Sequence, residues 1–292
     1  MPELPEVETV RRTLLPYLPG RQVQRVVVRD PMVVKDPRPE LLARRLEGET
    51  FRSLERVGKY LILKLDREGL LIHLGMTGQL TFRHPDRRDT PFLVQSTTGL
   101  QRALQHPVDK HTHVTLELSD GTAVHYRDIR KFGKWRLYRL EELPGCPQLS
   151  RLGPDPLTPD FTLAGFEHRL KRTRRAVKAA LLDQSLVAGL GNIYVDEVLF
   201  LAGIRPTRTA HLLSRRSVRT LFEAIPEVLR IGIADGGTTF SDYLDGEGNP
   251  GTHQERLQVY GRYGLECRRC GSELLRDTIA QRTTTWCRRC QS

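Results

Sequence analysis

The first six residues place a ring nitrogen and two carboxylates close together: Pro2, Glu3 and Glu6, with Pro5 between the acids. Removal of Met1 would make the Pro2 nitrogen a free secondary amine. Such a terminus titrates at about pH 8, so a useful fraction is an uncharged nucleophile near neutrality. If this amine attacks a sugar C1′, the iminium that forms carries no N–H and cannot relax to a neutral imine. It stays an electron sink, which suits elimination. Glu3 is placed to act as a general acid toward the sugar ring oxygen, and Glu6 to orient it or hold water. A plainer reading stands beside this one. Acids in a first turn complement the helix dipole, and Pro after Met is an ordinary start.

Four of the five cysteines form the second constellation. Cys267 and Cys270 are separated by sixteen residues from Cys287 and Cys290, a double CxxC spacing that matches tetrahedral zinc better than a disulfide framework. A redox CxxC is the competing reading, weakened because no βαβ pattern surrounds either pair. Cys146 lies alone between Gly145 and Pro147. Two further stretches carry phosphate or groove chemistry. In Leu190-Gly191-Asn192-Ile193-Tyr194 the glycine lets backbone approach a phosphate, and Asn192 can cap the following helix. The strand-edge residues Arg130, Lys131 and Phe132 set a planar cation and an aromatic wedge two apart, so both can face a groove. Alone, this would equally describe a surface Arg and a core Phe.

The elements that must position these groups follow from periodicity. Pro5 suits a helix start, and Leu4, Val7, Leu14 and Leu18 recur at helical spacing. A strand is expected over 22–29, then a polar turn with Pro31, Pro37 and Pro39, a helix over 40–46, and short strands over 51–57, 60–65, 70–74, 80–82, 114–118, 123–126 and 135–140. Such strands with close turns indicate an antiparallel sandwich or barrel. Residues 84–110 break the rhythm and read as an excursion loop. The prolines of 141–160 mark a linker. Helices are then expected over 163–170, 175–182, 193–202 and 214–233, followed by a Gly-rich, mobile loop over 235–258. With 292 residues the chain is long enough for two domains, and Lys+Arg 46 against Asp+Glu 35 gives a net charge of +11. That balance favours a polyanion, nucleic acid first. No apolar run approaches a membrane span and no signal-peptide core is present, so a cytoplasmic, nucleoid-associated location is expected.

Taken together, PELPEVET, GKYLILKL, IHLGMTG, DIRKFG, AGLGNIYVDEVLF, GGTTFSDY and the four-cysteine ribbon resemble the formamidopyrimidine-DNA glycosylase family over nearly the whole chain. The resemblance implies a multidomain α+β protein. Its parts would be a catalytic β-sandwich over 1–140 with flanking helices, a linker over 141–160, a helix-two-turn-helix domain with a base-capping loop over 161–258, and a zinc ribbon over 259–292. It implies a monomeric glycosylase and AP lyase that acts on oxidised purines in damaged double-stranded DNA, with one structural zinc. By the same resemblance Pro2 is the nucleophile and Glu3 its acid. Lys59 contacts phosphate and donates a proton in β-elimination, while His73 and His111 approach the DNA backbone. Met76, Arg130 and Phe132 fill the gap left by the flipped nucleotide. Asn192 and Arg282 grip flanking phosphates, and Arg282 assists δ-elimination. The chain departs from the family in two places: the excursion over 84–110, and Ser241, where some members carry a basic residue. Two other readings stay open, an oxidised-pyrimidine enzyme of the endonuclease VIII branch and a non-catalytic zinc-ribbon DNA-binding protein.

Overall fold

The structure is a computed structural model that describes residues 1–83, 93–96, 99–102 and 108–292. The chain folds as two compact units. The first comprises Met1–Ser150 with Ile233–Gln254, and the second Arg151–Gly232 with Glu255–Ser292. The segment expected to complete the helical domain therefore belongs, through Gln254, with the N-terminal unit. The ribbon joins the helices rather than standing apart.

In the first unit, α1 (Leu4–Leu14) begins with Pro5 and Glu6 in its first turn and ends with Arg11 and Arg12, so that acid and bases suit the helix dipole at either end. Leu4, Val7 and Leu14 are fully buried, as their spacing predicts, and Val10 joins them; Leu18 is also buried but lies past the helix end. Two sheets follow. One has the order β1 (Val23–Val28), β9 (Thr112–Leu118), β10 (Ala123–Asp128), β6 (Gly78–Arg83). The other runs β2 (Val34–Asp36), β11 (Lys134–Arg139), β5 (Glu68–His73), β4 (Tyr60–Lys64), β3 (Ser53–Val57). Val26 and Leu116 from one sheet, Leu63 and Ile72 from the other, Val10 from α1 and Leu42 from α2 (Pro39–Leu46) belong to one buried cluster. This is the expected sandwich with flanking helices. Each such side chain contributes about 1.5–3 kcal/mol by leaving water.

Three local expectations change. The stretch around Pro31 and Pro37, read as a polar turn, holds a 3-10 turn and β2, which pairs parallel with β11 in an otherwise antiparallel sheet. Within 84–110, β7 (Leu93–Ser96) and β8 (Gly99–Arg102) pair as an antiparallel hairpin, so the stretch is not all loop; the rest of the expectation on 84–92, 97–98 and 103–107 lies outside the described residues. The first part of the supposed linker packs: Cys146 is buried with Ile62, Leu71 and Leu143.

The second unit contains α3 (Leu163–Lys171), α4 (Val177–Leu181), α5 (Asn192–Leu201) and most of α6 (Arg215–Ala234), with a hairpin of β12 (Leu275–Ile279) and β13 (Arg282–Trp286). Its interior holds a full ion pair that no sequence period announces. Lys178 Nζ donates to Asp196 Oδ1 at 2.7 Å and to the Thr283 carbonyl at 3.0 Å, and the second Asp196 oxygen accepts from Thr285 N–H. Burial raises the Asp196 carboxyl pKa and Lys178 opposes that rise. Among the described residues no helix is long and apolar enough to cross a membrane. Lys178→Met leaves the buried Asp196 carboxyl without its cation, and a loss of about 3–5 kcal/mol is expected in urea unfolding. Adding Asp196→Leu to that variant should restore most of the loss.

Candidate active site

The start of α1 is fixed by one carboxylate. Glu6, 1% exposed, accepts the Glu3 N–H on Oε2 and the Thr238 N–H on Oε1, each at 2.8 Å. The first bond closes the helix start as a capping-box acid does. The second reaches 232 residues along the chain to the segment after α6. Tyr243 adds its hydroxyl, within 3.2 Å of the Glu6 carbonyl and 3.1 Å of that of Gly236. Pro2 and Glu3 are buried beside this junction. Glu6 thus ties the backbone at Glu3 to that at Thr238.

The segment 235–254, expected to be mobile, is held along its length within the first unit. Gly246 N–H donates to the Thr13 hydroxyl at 2.8 Å, and Phe82 N–H to the Gly246 carbonyl at 2.8 Å. Tyr17 donates to Glu247 at 2.6 Å, Gln79 to the Asp242 carbonyl, and His253 meets Asp235 at 2.8 Å. Composition hid this, because Gly and polar residues look alike whether they are solvated or bonded to a neighbour. Only Ser241 of the Phe240-Ser241-Asp242 tip is exposed.

Lys59 is the second residue of the two-residue turn that joins β3 to β4, behind Gly58 at φ +56. His73 ends β5 with Tyr60 and Lys134 as its cross-strand neighbours. Its Nδ1 accepts the Gly75 N–H at 3.1 Å, which leaves Nε2 to carry the proton. Burial, then the charges of Lys59 and Lys134, lowers its pKa to about 4. At neutral pH His73 is therefore a neutral ring with an N–H donor at Nε2.

Met76, Arg130 and Phe132 sit on two touching loops. A Cβ on Gly75 would meet Gly133 N at 2.5 Å, so the backbones are in contact and glycine is required. Met76 is 39% and Phe132 50% exposed, and the Arg130 guanidinium lies 4.6 Å above the Phe132 ring. The pair does share a face, although from a turn and not from a strand edge. What holds both loops was missed in the sequence. Asp128, fully buried, accepts from the Thr77 and Tyr126 hydroxyls and from the N–H groups of Arg130 and Gly133. The Asp of DIRKFG was the available signal. His111 lies on the other side of this node, its carbonyl accepting the Asp128 N–H at 2.9 Å.

In the second unit Asn192 is not the cap. Gly191 takes that position, and Asn192 Nδ2 donates to the Thr283 carbonyl at 3.0 Å. Arg282, exposed, follows a hairpin turn in which Ala280 and Gln281 both have positive φ. Asn192 and the Arg282 strand are thus brought together through Thr283. Glu197 secures the approach to the ribbon, accepting the N–H groups of Gln258, Val259 and Tyr260 at 2.8–2.9 Å. The four sulfurs of Cys267, Cys270, Cys287 and Cys290 lie within 4.8 Å of one another, with Cys267 and Cys290 at 3.9 Å and Cys270 and Cys287 at 3.5 Å. A tetrahedron with bonds of about 2.3 Å has edges of about 3.8 Å, so the donor set fits one structural zinc.

The His73 environment has a pH signature. Its folded pKa lies below the ordinary 6.5, so between pH 6.5 and 4 the unfolded chain binds a proton that the folded chain refuses. Stability falls as pH drops through that window, by roughly 2–3 kcal/mol at its acid end. His73→Gln should flatten that part of the urea-stability profile. The His73 ring resonance should show no titration between pH 6 and 8.

Comparison with known proteins agrees with this geometry over the whole chain. The model of the formamidopyrimidine-DNA glycosylase N-terminal domain matches residues 1–135, that of the H2TH domain of the same enzyme residues 152–243, and that of a zinc finger found in FPG and IleRS residues 264–292. The chain is 44% identical over 292 residues to the formamidopyrimidine-DNA glycosylase of Geobacillus kaustophilus, with 100% of both chains covered. It is similar to Lactococcus lactis Fpg solved with abasic-site DNA (TM-score 0.87, 36% identity, 99% of each chain). A second Lactococcus lactis structure, with Fapy-dG DNA, gives a TM-score of 0.86 at 35% identity over 99% of this chain and 100% of that one. The chain belongs to the formamidopyrimidine-DNA glycosylase family.

Proposed function

We propose that this DNA glycosylase excises oxidised purines, 8-oxoguanine and formamidopyrimidines, from duplex DNA with Pro2 as nucleophile, and then cuts the strand. A base stacked in duplex hides its sugar carbon, so the nucleotide must be extruded at a cost of a few kcal/mol. Phosphate contacts from Lys59, Asn192 and Arg282 offset that cost and make binding fall with salt. Met76, Arg130 and Phe132 occupy the vacated stack. The Pro2 nitrogen forms a bond to C1′ as the glycosidic bond breaks, and the base leaves with the electron pair. Glu3 protonates the ring oxygen, which opens the sugar to the iminium. Loss of a C2′ proton expels the 3′ phosphate, with Lys59 as proton donor, and a second elimination aided by Arg282 expels the 5′ phosphate. Hydrolysis of the iminium frees Pro2. The zinc takes no part in these steps; it folds a ribbon that presents Arg282. The protein works as a monomer.

The observation that supports this reading is the Glu6 bridge, which fixes the residues after Pro2 from both sides and holds Glu3 buried next to it. A nucleophile must be held to a fraction of an ångström, and a fraying terminus would not serve. Borohydride added to protein and an 8-oxoguanine duplex should trap a covalent adduct that peptide mapping places on Pro2. Pro2→Gly or an uncleaved N-terminal tag should remove the adduct, and Glu3→Gln should slow base release by about 10²–10⁴-fold. An adduct on a lysine overturns the assignment.

A further inference from the structure

PELPEVET contains a third acid, Glu8, that the reaction above does not use. Its side chain is 8% exposed and accepts four N–H bonds. Oε1 takes Arg11 Nη2 and Arg12 Nε, both at 2.8 Å; Oε2 takes Arg11 Nε and Arg56 Nε, both at 3.0 Å. Burial alone would raise its pKa, but the Arg11 and Arg12 bonds with the Arg11 and Arg56 charges bring it to about 2. Glu8 is therefore a fixed anion throughout the working range and does not transfer protons.

Arg56 continues the chain of contacts. Its side chain is 6% exposed, and while Nε holds Glu8, Nη1 donates to the Gly58 carbonyl at 3.1 Å. That carbonyl belongs to the peptide that leads directly into Lys59. Arg11 adds a second tie from the same helix, to the Leu54 carbonyl on β3 at 3.3 Å. One rigid guanidinium fork thus spans the helix that begins at Pro2 and the turn that carries Lys59.

We propose that the Glu8–Arg56 pair is a positioning device for Lys59, setting the lysine against the iminium so that elimination follows base release without delay. The proposal rests on the reading of Pro2 and Lys59 given above. A misplaced proton donor affects the step that needs the proton and leaves the earlier attack by Pro2 in place.

The test separates the two steps. Arg56→Met keeps length and apolar packing but loses both bonds. Arg56→Lys keeps a point charge for Glu8 without the fork. On an 8-oxoguanine duplex, strand breaks read directly and after alkali report elimination and base release respectively. Wild type should show the two nearly coincident. Arg56→Met should release base within about threefold of wild type yet cut abasic-site duplex at least tenfold more slowly, with borohydride trapping at Pro2 retained. Arg56→Lys should show a smaller lag in the same direction, and Glu8→Gln a lag between the two. Parallel loss of both steps, or no lag in any variant with an unchanged melting profile, overturns the proposal. If Arg56→Met does not fold, Arg56→Lys and Glu8→Gln decide it by the same ratio. Absence of a wild-type adduct on Pro2 would instead remove the reading of the function itself.

Discussion

A buried carboxylate has to satisfy two oxygens, and where it finds its donors decides what it can organise. Glu6 finds one N–H at the start of its own helix and the other more than two hundred residues away, at Thr238. Neither segment can shift without losing a charge-assisted bond to that carboxylate, which contributes about 1.5–3 kcal/mol. Gly237, at φ +84, lets the distant segment come this close, since a Cβ there would stand 3.0 Å from Glu6 Cγ. The geometry of the first residues is therefore a property of the closed loop as much as of the helix.

The same device recurs wherever the chain is irregular. Backbone N–H groups in a loop lack the ladder partners of a strand, and burying them requires acceptors. Asp128 supplies these for the loops of Arg130 and Gly133, and Glu197 for the residues that lead into the ribbon. Asp196 serves both Lys178 and a strand amide. Hydrogen bonds to a charged group contribute about 1.5–3 kcal/mol each, so a carboxylate with three or four of them can hold a loop that has little apolar surface of its own. Hydroxyl, amide and carbonyl partners do the same for 235–254, with Glu6 adding one carboxylate bond, although the composition of that segment reads as mobile.

The division between what the sequence displayed and what it hid follows from range. Strands β3 to β6 and β9 to β11 could be read because short apolar runs punctuated by turn residues are a local signal, and α1 because Leu4, Val7 and Leu14 repeat within a few turns. The cysteine spacing was readable because zinc imposes a fixed geometry on short knuckles. The Glu6–Thr238, Asp128–Thr77 and Lys178–Asp196 contacts left no periodic trace, since each joins residues that only the finished fold makes neighbours. Asn192 shows the limit of local reasoning. Its residue type fits a cap, yet Gly191 can take that place, and the amide is used across the unit on Thr283.

The three acids of the first helix show how one residue type divides its work by angle alone. Glu3 and Glu6 are three residues apart and lie on one side of the axis. Glu8 is a further two on, about 200° around from Glu6. The first side meets the 238–243 segment and the second meets β3 and the turn before Lys59. Shifting one acid by a single position would turn it by about 100°, away from its donors. The spacing Glu-x-x-Glu-x-Glu is thus a geometric requirement: one short helix must be gripped from two directions so that its first residues have nowhere to move.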